Sequence, residues 1–365
     1  MRTLAAYLGG LLVVLVSIST ARAEPACEVQ PLGTLGGLGT TTRDMNDSGQ
    51  IVGSSDATVD RPDRVIHHAF IWENGSIRDL GALADDAQSQ AMAINALGVI
   101  VGSSTLVPRG RDQPVIWQDE VIAPLPFDGE EGEALDINGN GQIIGRSGDS
   151  TCLLWQDANS DPIELEGLGG DFCRPSAIND DGVIVGRAST ADGEQRAFFF
   201  RNGVLRAAES LAHAPSEVSH LRAINAFGLA VGTFGTDENP RAFVWTRRGG
   251  GRLLDVADAV PRTVNDFDVI ALIPTSRPFT LLLGDRHGRT LELGDGLNGP
   301  EDPEPFRYVT GLAVNNLFRA AWNVYTTGTE YDHAYTCQLP QRTAIQFALE
   351  SALGDLVSRV GAELP

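Results

Sequence analysis

Asp44-Met45-Asn46-Asp47-Ser48-Gly49-Gln50-Ile51-Val52-Gly53 is the phrase on which the reading of this chain turns, because it recurs. It returns as Ala93-Ile94-Asn95-Ala96-Leu97-Gly98-Val99-Ile100-Val101-Gly102 and as Asp136-Ile137-Asn138-Gly139-Asn140-Gly141-Gln142-Ile143-Ile144-Gly145. Further copies centre on Asn179 and Asn225, and two degenerate ones on Asn265 and Asn315. The spacing of these asparagines averages about 45 residues, the period of a four-stranded propeller blade. Within a period, Asn-x-x-Gly reads as a tight turn, since Asn and Gly both tolerate positive φ. A β-branched run ending in Gly follows, as in Val183-Ile184-Val185-Gly186.

Beyond this phrase the first five copies carry a third, aromatic strand: His68-Ala69-Phe70-Ile71-Trp72, Pro114 to Trp117, Cys152 to Trp155, Arg196 to Phe200, Arg241 to Trp245. A turn such as Glu73-Asn74-Gly75 leads to a fourth strand, as in Ile77 to Leu83. Short strands at even spacing with Gly-rich turns predict an all-β repeat array. The seventh copy has an aromatic strand, His333 to Cys337, with no fourth strand after it. Its counterpart stands at the other end, where Val29 to Leu35 resembles Ile77 to Leu83. A circularly permuted repeat predicts a seven-bladed β-propeller closed by the N-terminal strand, with no exposed sheet edge. An open β-solenoid, the competing architecture, leaves the permutation unexplained.

The phrases His68-Ala69-Phe70-Ile71-Trp72, Asp79-Leu80-Gly81-Ala82-Leu83 and Leu32-Gly33-Thr34-Leu35-Gly36-Gly37 resemble the HAF-repeat family of predicted extracellular bacterial proteins. The resemblance covers residues 29 to 256 and fades in the last two copies. It implies export and repeats, and it implies no catalytic residues.

Residues 1–23 read as a signal peptide: Arg2, an apolar run from Leu4 to Ile18, and the Ala21-Arg22-Ala23 cleavage motif. The propeller is assigned to 24–340 and an amphipathic helix to 341–365, with Ile345, Leu349, Leu353, Leu356 and Val360 on one stripe. The expected compartment is secreted or periplasmic, with no stable membrane insertion after cleavage. The 365-residue chain is 42% hydrophobic and 21% charged, a globular composition. Its 48 acidic residues outweigh 27 basic ones, giving −21, and every basic residue is Arg. This acidity argues against nucleic acid and anionic membranes, and the absence of Lys removes Schiff-base chemistry.

Four cysteines in an oxidising compartment predict two disulfides. Cys152 begins a third strand and Cys173 precedes the next first strand, so they pair. Cys337 aligns with Trp72 and Cys27 with Gly75, so the second bridge replaces the turn that the last blade lacks.

The chemical candidates are thin. Asp136-x-Asn138-x-Asn140-Gly141 matches half of a calcium loop, but Ser147 stands where the bidentate Glu belongs. Turn chemistry covers all copies, so no metal and no cofactor is expected. His67 and His68 are strand neighbours pointing to opposite faces. The tryptophans 72, 117, 155 and 245 share one repeat position and read as packing between blades. Loops between second and third strands, and between blades, vary in length, which places binding on that face. Arg61, Arg64, Arg109 and Arg111 are its candidate ligand contacts. The expected function is a non-enzymatic binding or interaction scaffold for a protein or carbohydrate. The alternative is a propeller hydrolase or lyase acting on extracellular glycans through carboxylates in the central channel.

Overall fold

The structure is a computed structural model of the chain. It describes residues 29–57, 66–85, 87–105, 110–148, 150–208, 218–236, 239–256, 259–275, 282–292, 308–325 and 332–339. The signal peptide, Cys27, Arg61, Arg64, Arg109 and the C-terminal helix of the sequence reading lie outside the described residues.

A short strand β1 (Gln30–Pro31) precedes the first blade. Blade 1 is β2 (Gly36–Met45), β3 (Ile51–Ala57), β4 (Ile66–Glu73) and β5 (Ser76–Asp79); blade 2 is β6 (Ser89–Ile94), β7 (Ile100–Thr105), β8 (Asp112–Gln118) and β9 (Val121–Pro124). Blade 3 is β10 (Gly132–Ile137), β11 (Ile143–Ser147), β12 (Thr151–Trp155) and β13 (Ile163–Glu164); blade 4 is β14 (Gly169–Ile178), β15 (Ile184–Thr190), β16 (Gln195–Arg201) and β17 (Val204–Ala207). Blade 5 is β18 (Val218–Ile224), β19 (Ala230–Thr236), β20 (Asn239–Thr246) and β21 (Gly250–Leu253); blade 6 is β22 (Ala259–Val264), β23 (Ile270–Pro274), β24 (Leu282–Gly284) and β25 (Thr290–Glu292). The seventh sheet is β26 (Tyr308–Val314), β27 (Arg319–Tyr325) and β28 (Asp332–Gln338), with β1 as its fourth strand. The protein is therefore an all-β, seven-bladed propeller, and no helix occurs among the described residues.

β1 pairs antiparallel with β28, Gln30 opposite Thr336 and Pro31 opposite Tyr335. The Leu32 amide donates to Ala334 O at 3.0 Å, as the Leu80 amide donates to Ala69 O at 2.9 Å in blade 1. The first strands touch one another in a cycle, β2 to β6 and onward to β26 and back to β2, so they surround the axis. Between blades lies the core. Trp72, Trp117, Trp155 and Trp245 are buried there, and the Trp117 indole donates to Leu80 O of the preceding blade at 3.0 Å.

The turn after each first strand follows the sequence expectation in its Gly and departs from it in its Asn. None of the seven repeat asparagines has positive φ; the residue three positions later does. Gly49, Gly98, Gly141, Gly182 and Gly228 hold φ of +81°, +81°, +82°, +71° and +82°, and Asp268 and Phe318 take that place at +59° and +58°. The Asn is there for its side chain. In blade 2, Asn95 Oδ1 accepts the amides of Leu97 and Val99, both at 3.0 Å, while Nδ2 donates across to Asn138 O at 3.1 Å. The β-branched run ends in Gly for a second reason. In blades 1 to 6 the first strand carries a bulge at the third residue before the Asn. A neighbouring carbonyl then leans on the second strand. A Cβ at Gly53, Gly102, Gly145, Gly186 or Gly232 would meet that oxygen at 2.0, 1.9, 2.3, 2.3 and 2.0 Å.

Candidate functional site

Two positions of the repeat, both on the first strands, carry charged groups in some blades and not in others. Two residues before the Asn stand Asp44 and Asp136, where the other blades have Ala93, Ala177, Ala223, Thr263 and Ala313. Both residues are half-buried. Burial pushes Asp44 up to about 6, against two backbone hydrogen bonds. Burial, and then the charge of Asp44, push Asp136 up to about 8. Each reaches to the next blade. Asp44 Oδ2 accepts the Ile94 amide at 2.9 Å, and Asp136 Oδ2 accepts the Ile178 amide at 2.8 Å. Asp136 Oδ1 also accepts the Ile137 amide at 2.8 Å, so both its oxygens face backbone donors.

Blade 1 has Arg43 three residues before its Asn, on its bulge. In the same place stand Arg222 and Arg262, each the unpaired residue of its bulge. They belong to a basic cluster contributed by blades 4 to 6. Arg174 and Arg187 are cross-strand partners in blade 4, and the Arg187 guanidinium lies 5.2 Å from the centre of the Phe172 ring. His220 Nε2 and Ser176 Oγ are 2.7 Å apart, linking blade 5 to blade 4. Burial, and then Arg222, Arg187, Arg174 and Arg262, hold His220 well below the usual imidazole range, so it is neutral at pH 7. Burial and the neighbouring guanidiniums lower Arg222 to about 10.

Where the turns after the first strands converge, the channel opens into a mouth of about 250 Å³ whose wall includes Asp44, Asp180, Asn225, Asp266 and Asn316. Its acids are engaged with neighbouring turns: Asp180 Oδ1 accepts the Gly139 amide at 2.6 Å, and Asp266 Oδ1 the Ala226 amide at 2.9 Å. Around the mouth, the second residue after the Asn is apolar and exposed in four blades, as Leu97, Phe227, Phe267 and Leu317. Two grooves cut the same face between blades, one of about 520 Å³ beside Phe227, Trp245 and Arg248, the other of about 700 Å³ beside Phe200 and Leu205.

Of the arginines expected to contact ligand, Arg111 is described; it pairs with Glu130 at the exposed surface. The histidines of the strand entry have local partners. His67 meets Asp56 at 2.7 Å and His68 meets Asp79 at 2.8 Å, which raises the His68 pKa. In the half calcium loop the side-chain oxygens of Asp136 and Asn138 are occupied by protein donors, Asp136 as above and Asn138 Oδ1 by the amides of Asn140 and Gln142 at 3.1 and 2.9 Å. Cys152 and Cys173 form a disulfide, both buried, with Cα atoms 5.3 Å apart. Cys337 is also disulfide-bonded, at the position that Trp72 holds in blade 1. Asp44, Asp136, Arg222 and Arg262 were missed as site residues, although aligning the repeat by its Asn puts each in a column that is otherwise mainly small or apolar.

No protein-family model matches the chain, and no curated protein matches it. Solved structures do. The β-propeller domain of the Trilobed protease from Pyrococcus furiosus, described as having an open velcro topology, superposes with a TM-score of 0.56 at 9% identity, over 82% of this chain and 96% of that one. YCF48 bound to D1 peptide gives 0.54 at 13% identity, over 89% and 98%. Oligogalacturonate lyase in complex with manganese gives 0.51 at 10% identity, over 88% and 95%. At these identities the likeness is one of fold.

Proposed function

We propose that this chain is an exported binding or interaction scaffold, not an enzyme, whose ligand is a protein or a carbohydrate. Its fold neighbours include one bound to a peptide and one lyase, so fold does not choose between the classes. The observation that carries the choice is the use made of the channel carboxyls. Asp44 and Asp136 are anchored to backbone amides of the next blade, which suits struts between blades and not proton transfer to a substrate. The proposed ligand surface remains the face of the variable loops, with Arg61, Arg64, Arg109 and Arg111. Export rests on the signal-like residues 1–23, and a disulfide joining blades 3 and 4 is consistent with an oxidising compartment. The pairing of β1 with β28 supports closure of the ring by the N-terminal strand, and the bonded state of Cys337 supports a bridge to Cys27.

The second reading, a glycan hydrolase or lyase, is favoured by one observation: two carboxyls of raised pKa in one channel are the pattern of an acid/base pair. Glycan and peptide arrays run beside a hydrolase and lyase panel separate the two. The scaffold reading expects saturable binding with no turnover. Turnover that Asp136→Asn abolishes while folding is retained overturns it.

A further inference from the structure

The basic cluster of blades 4 to 6 stands apart from the rest of an acidic chain. Four guanidiniums and one imidazole converge there, from Arg174, Arg187, Arg222, Arg262 and His220, in a molecule of net charge −21. Whereas Arg146 meets Glu133, the charges that act on Arg222 are those of Arg262, Arg187 and Arg174, all of its own sign. Among the described residues, Nε of Arg222 and Nε of Arg262 are buried without a hydrogen-bond partner. Both residues sit on bulges, the device that re-aims a side chain. A half-buried guanidinium whose Nε is buried and idle, beside others of like charge, is out of balance unless an acceptor of negative charge joins it. Guanidinium presents its donors in a planar fork that fits a carboxylate, sulfate or phosphate edge. The neutral His220, held by Ser176, adds a neighbour that adjusts to such a charge without opposing it.

We propose that the inner edge of blades 4 to 6 is an oxyanion-binding site, in which Arg174, Arg187, Arg222 and Arg262 hold a carboxylate, sulfate or phosphate group. This goes beyond the scaffold reading and stands independently of it. A chain that binds glycans or peptides but ignores oxyanions loses this site and keeps that reading; one that binds oxyanions but nothing on the arrays does the reverse.

The experiment uses the full exported chain in a zwitterionic buffer at pH 7, with ionic strength held constant by sodium chloride. Sodium sulfate, sodium phosphate and sodium galacturonate are titrated separately by calorimetry, and His220 is followed by NMR in isotope-labelled protein. The site predicts saturable binding of at least one of the three, and the arm that responds names the group. It also predicts a rise in the His220 titration midpoint when that oxyanion is bound, because the added negative charge favours imidazolium. Arg222→Gln with Arg262→Gln is expected to weaken binding at least tenfold. Should that variant fail to fold, Arg262→Lys, which keeps the charge and loses the fork, is expected to weaken it several-fold. Responses to all three salts no different from chloride, or a His220 resonance unmoved by any of them in the wild-type chain, overturn the proposal.

Discussion

The side-chain amide of Asn315 donates to the main-chain oxygen of Asn46, 3.1 Å away and 269 residues earlier in the chain. It is one link of a cycle. Asn46 donates to Asn95 O, Asn95 to Asn138 O, Asn138 to Asn179 O, Asn179 to Asn225 O, Asn225 to Asn265 O and Asn265 to Asn315 O, at 3.0 to 3.2 Å. Each of those oxygens also accepts the amide three residues on in its own turn. One residue type thus fixes the turn within a blade and the contact to the next blade. The seam between blades 7 and 1 has a second tie of this kind, Asn323 Oδ1 accepting the Thr42 amide at 2.7 Å and Asn323 Nδ2 donating to Thr42 O at 3.1 Å.

Replacing one ring asparagine should therefore cost more than a turn residue does. Asn138→Ala removes two accepted and two donated hydrogen bonds and leaves buried backbone groups without partners. The expected loss is about 2–4 kcal/mol. Asn138→Asp keeps the acceptor for its own turn and loses the link to Asn179. A cost for Asn138→Asp comparable to that of Asn138→Ala, measured by urea unfolding, shows that the bond between blades matters; a negligible cost shows that only the turn does.

Two glycines separate crowding from backbone strain. Gly102→Ala would place Cβ 1.9 Å from Gln90 O, whereas Gly193→Ala meets nothing within 4 Å and suffers only from its φ of +82°. Gly102→Ala should destabilise by on the order of 3 kcal/mol or more, through forced displacement of the bulge. Gly193→Ala should cost about 1 kcal/mol. Similar unfolding midpoints for the two variants would contradict the account of the bulge.

The channel carboxyls make stability depend on pH. A carboxyl whose pKa is higher in the folded chain favours folding while it is protonated. That contribution is complete below the ordinary carboxylate range and fades as pH rises through about 6 for Asp44 and about 8 for Asp136. Asp136→Asn, which stays neutral, should stabilise the protein at pH 9 by about 1–3 kcal/mol relative to wild type, and bring no such gain at pH 4. Urea midpoints at the two pH values check this; an equal difference at both would show that Asp136 titrates normally.

The bridge between Cys152 and Cys173 closes a loop across 21 positions and ties blade 3 to blade 4. Replacing both by Ser should lower stability by about 3 kcal/mol in the chain-entropy account. For the proposed bridge from Cys27, Cys27→Ser should lower the unfolding midpoint and make the segment carrying β1 sensitive to protease. Peptide mapping of the unreduced protein that finds Cys337 linked elsewhere, or no change on either measure, would overturn that register.

The number of blades, the order of strands and the pairing of Cys152 with Cys173 were legible in the sequence. They follow from features that repeat locally: a tight turn after Asn, a β-branched run, an aromatic strand, a second turn. The alignment of Cys337 with Trp72 was likewise sound, since Ala320 faces Cys337 as Ile51 faces Trp72. The part played by Asn was misread, because its tolerance of positive φ is a property of one residue while its actual use needs a carbonyl from the next blade.

The repeat and the strand pairing of the first six blades were thus legible locally, since those contacts join neighbouring stretches of chain, whereas the pairing of Gln30 with Thr336 was legible only through the permutation of the repeat. Which residues meet around the axis depends instead on how the blades are set beside one another. Arg174, Arg222 and Arg262 stand in three successive blades, and Asp44 and Asp136 in blades 1 and 3. No local pattern announces that side chains so far apart in the chain become neighbours, the arginines of one another and Asp44 of Asp136. Their proximity exists only after the first strands have been brought round the channel, and it is there that burial and mutual charge give them properties that none has alone.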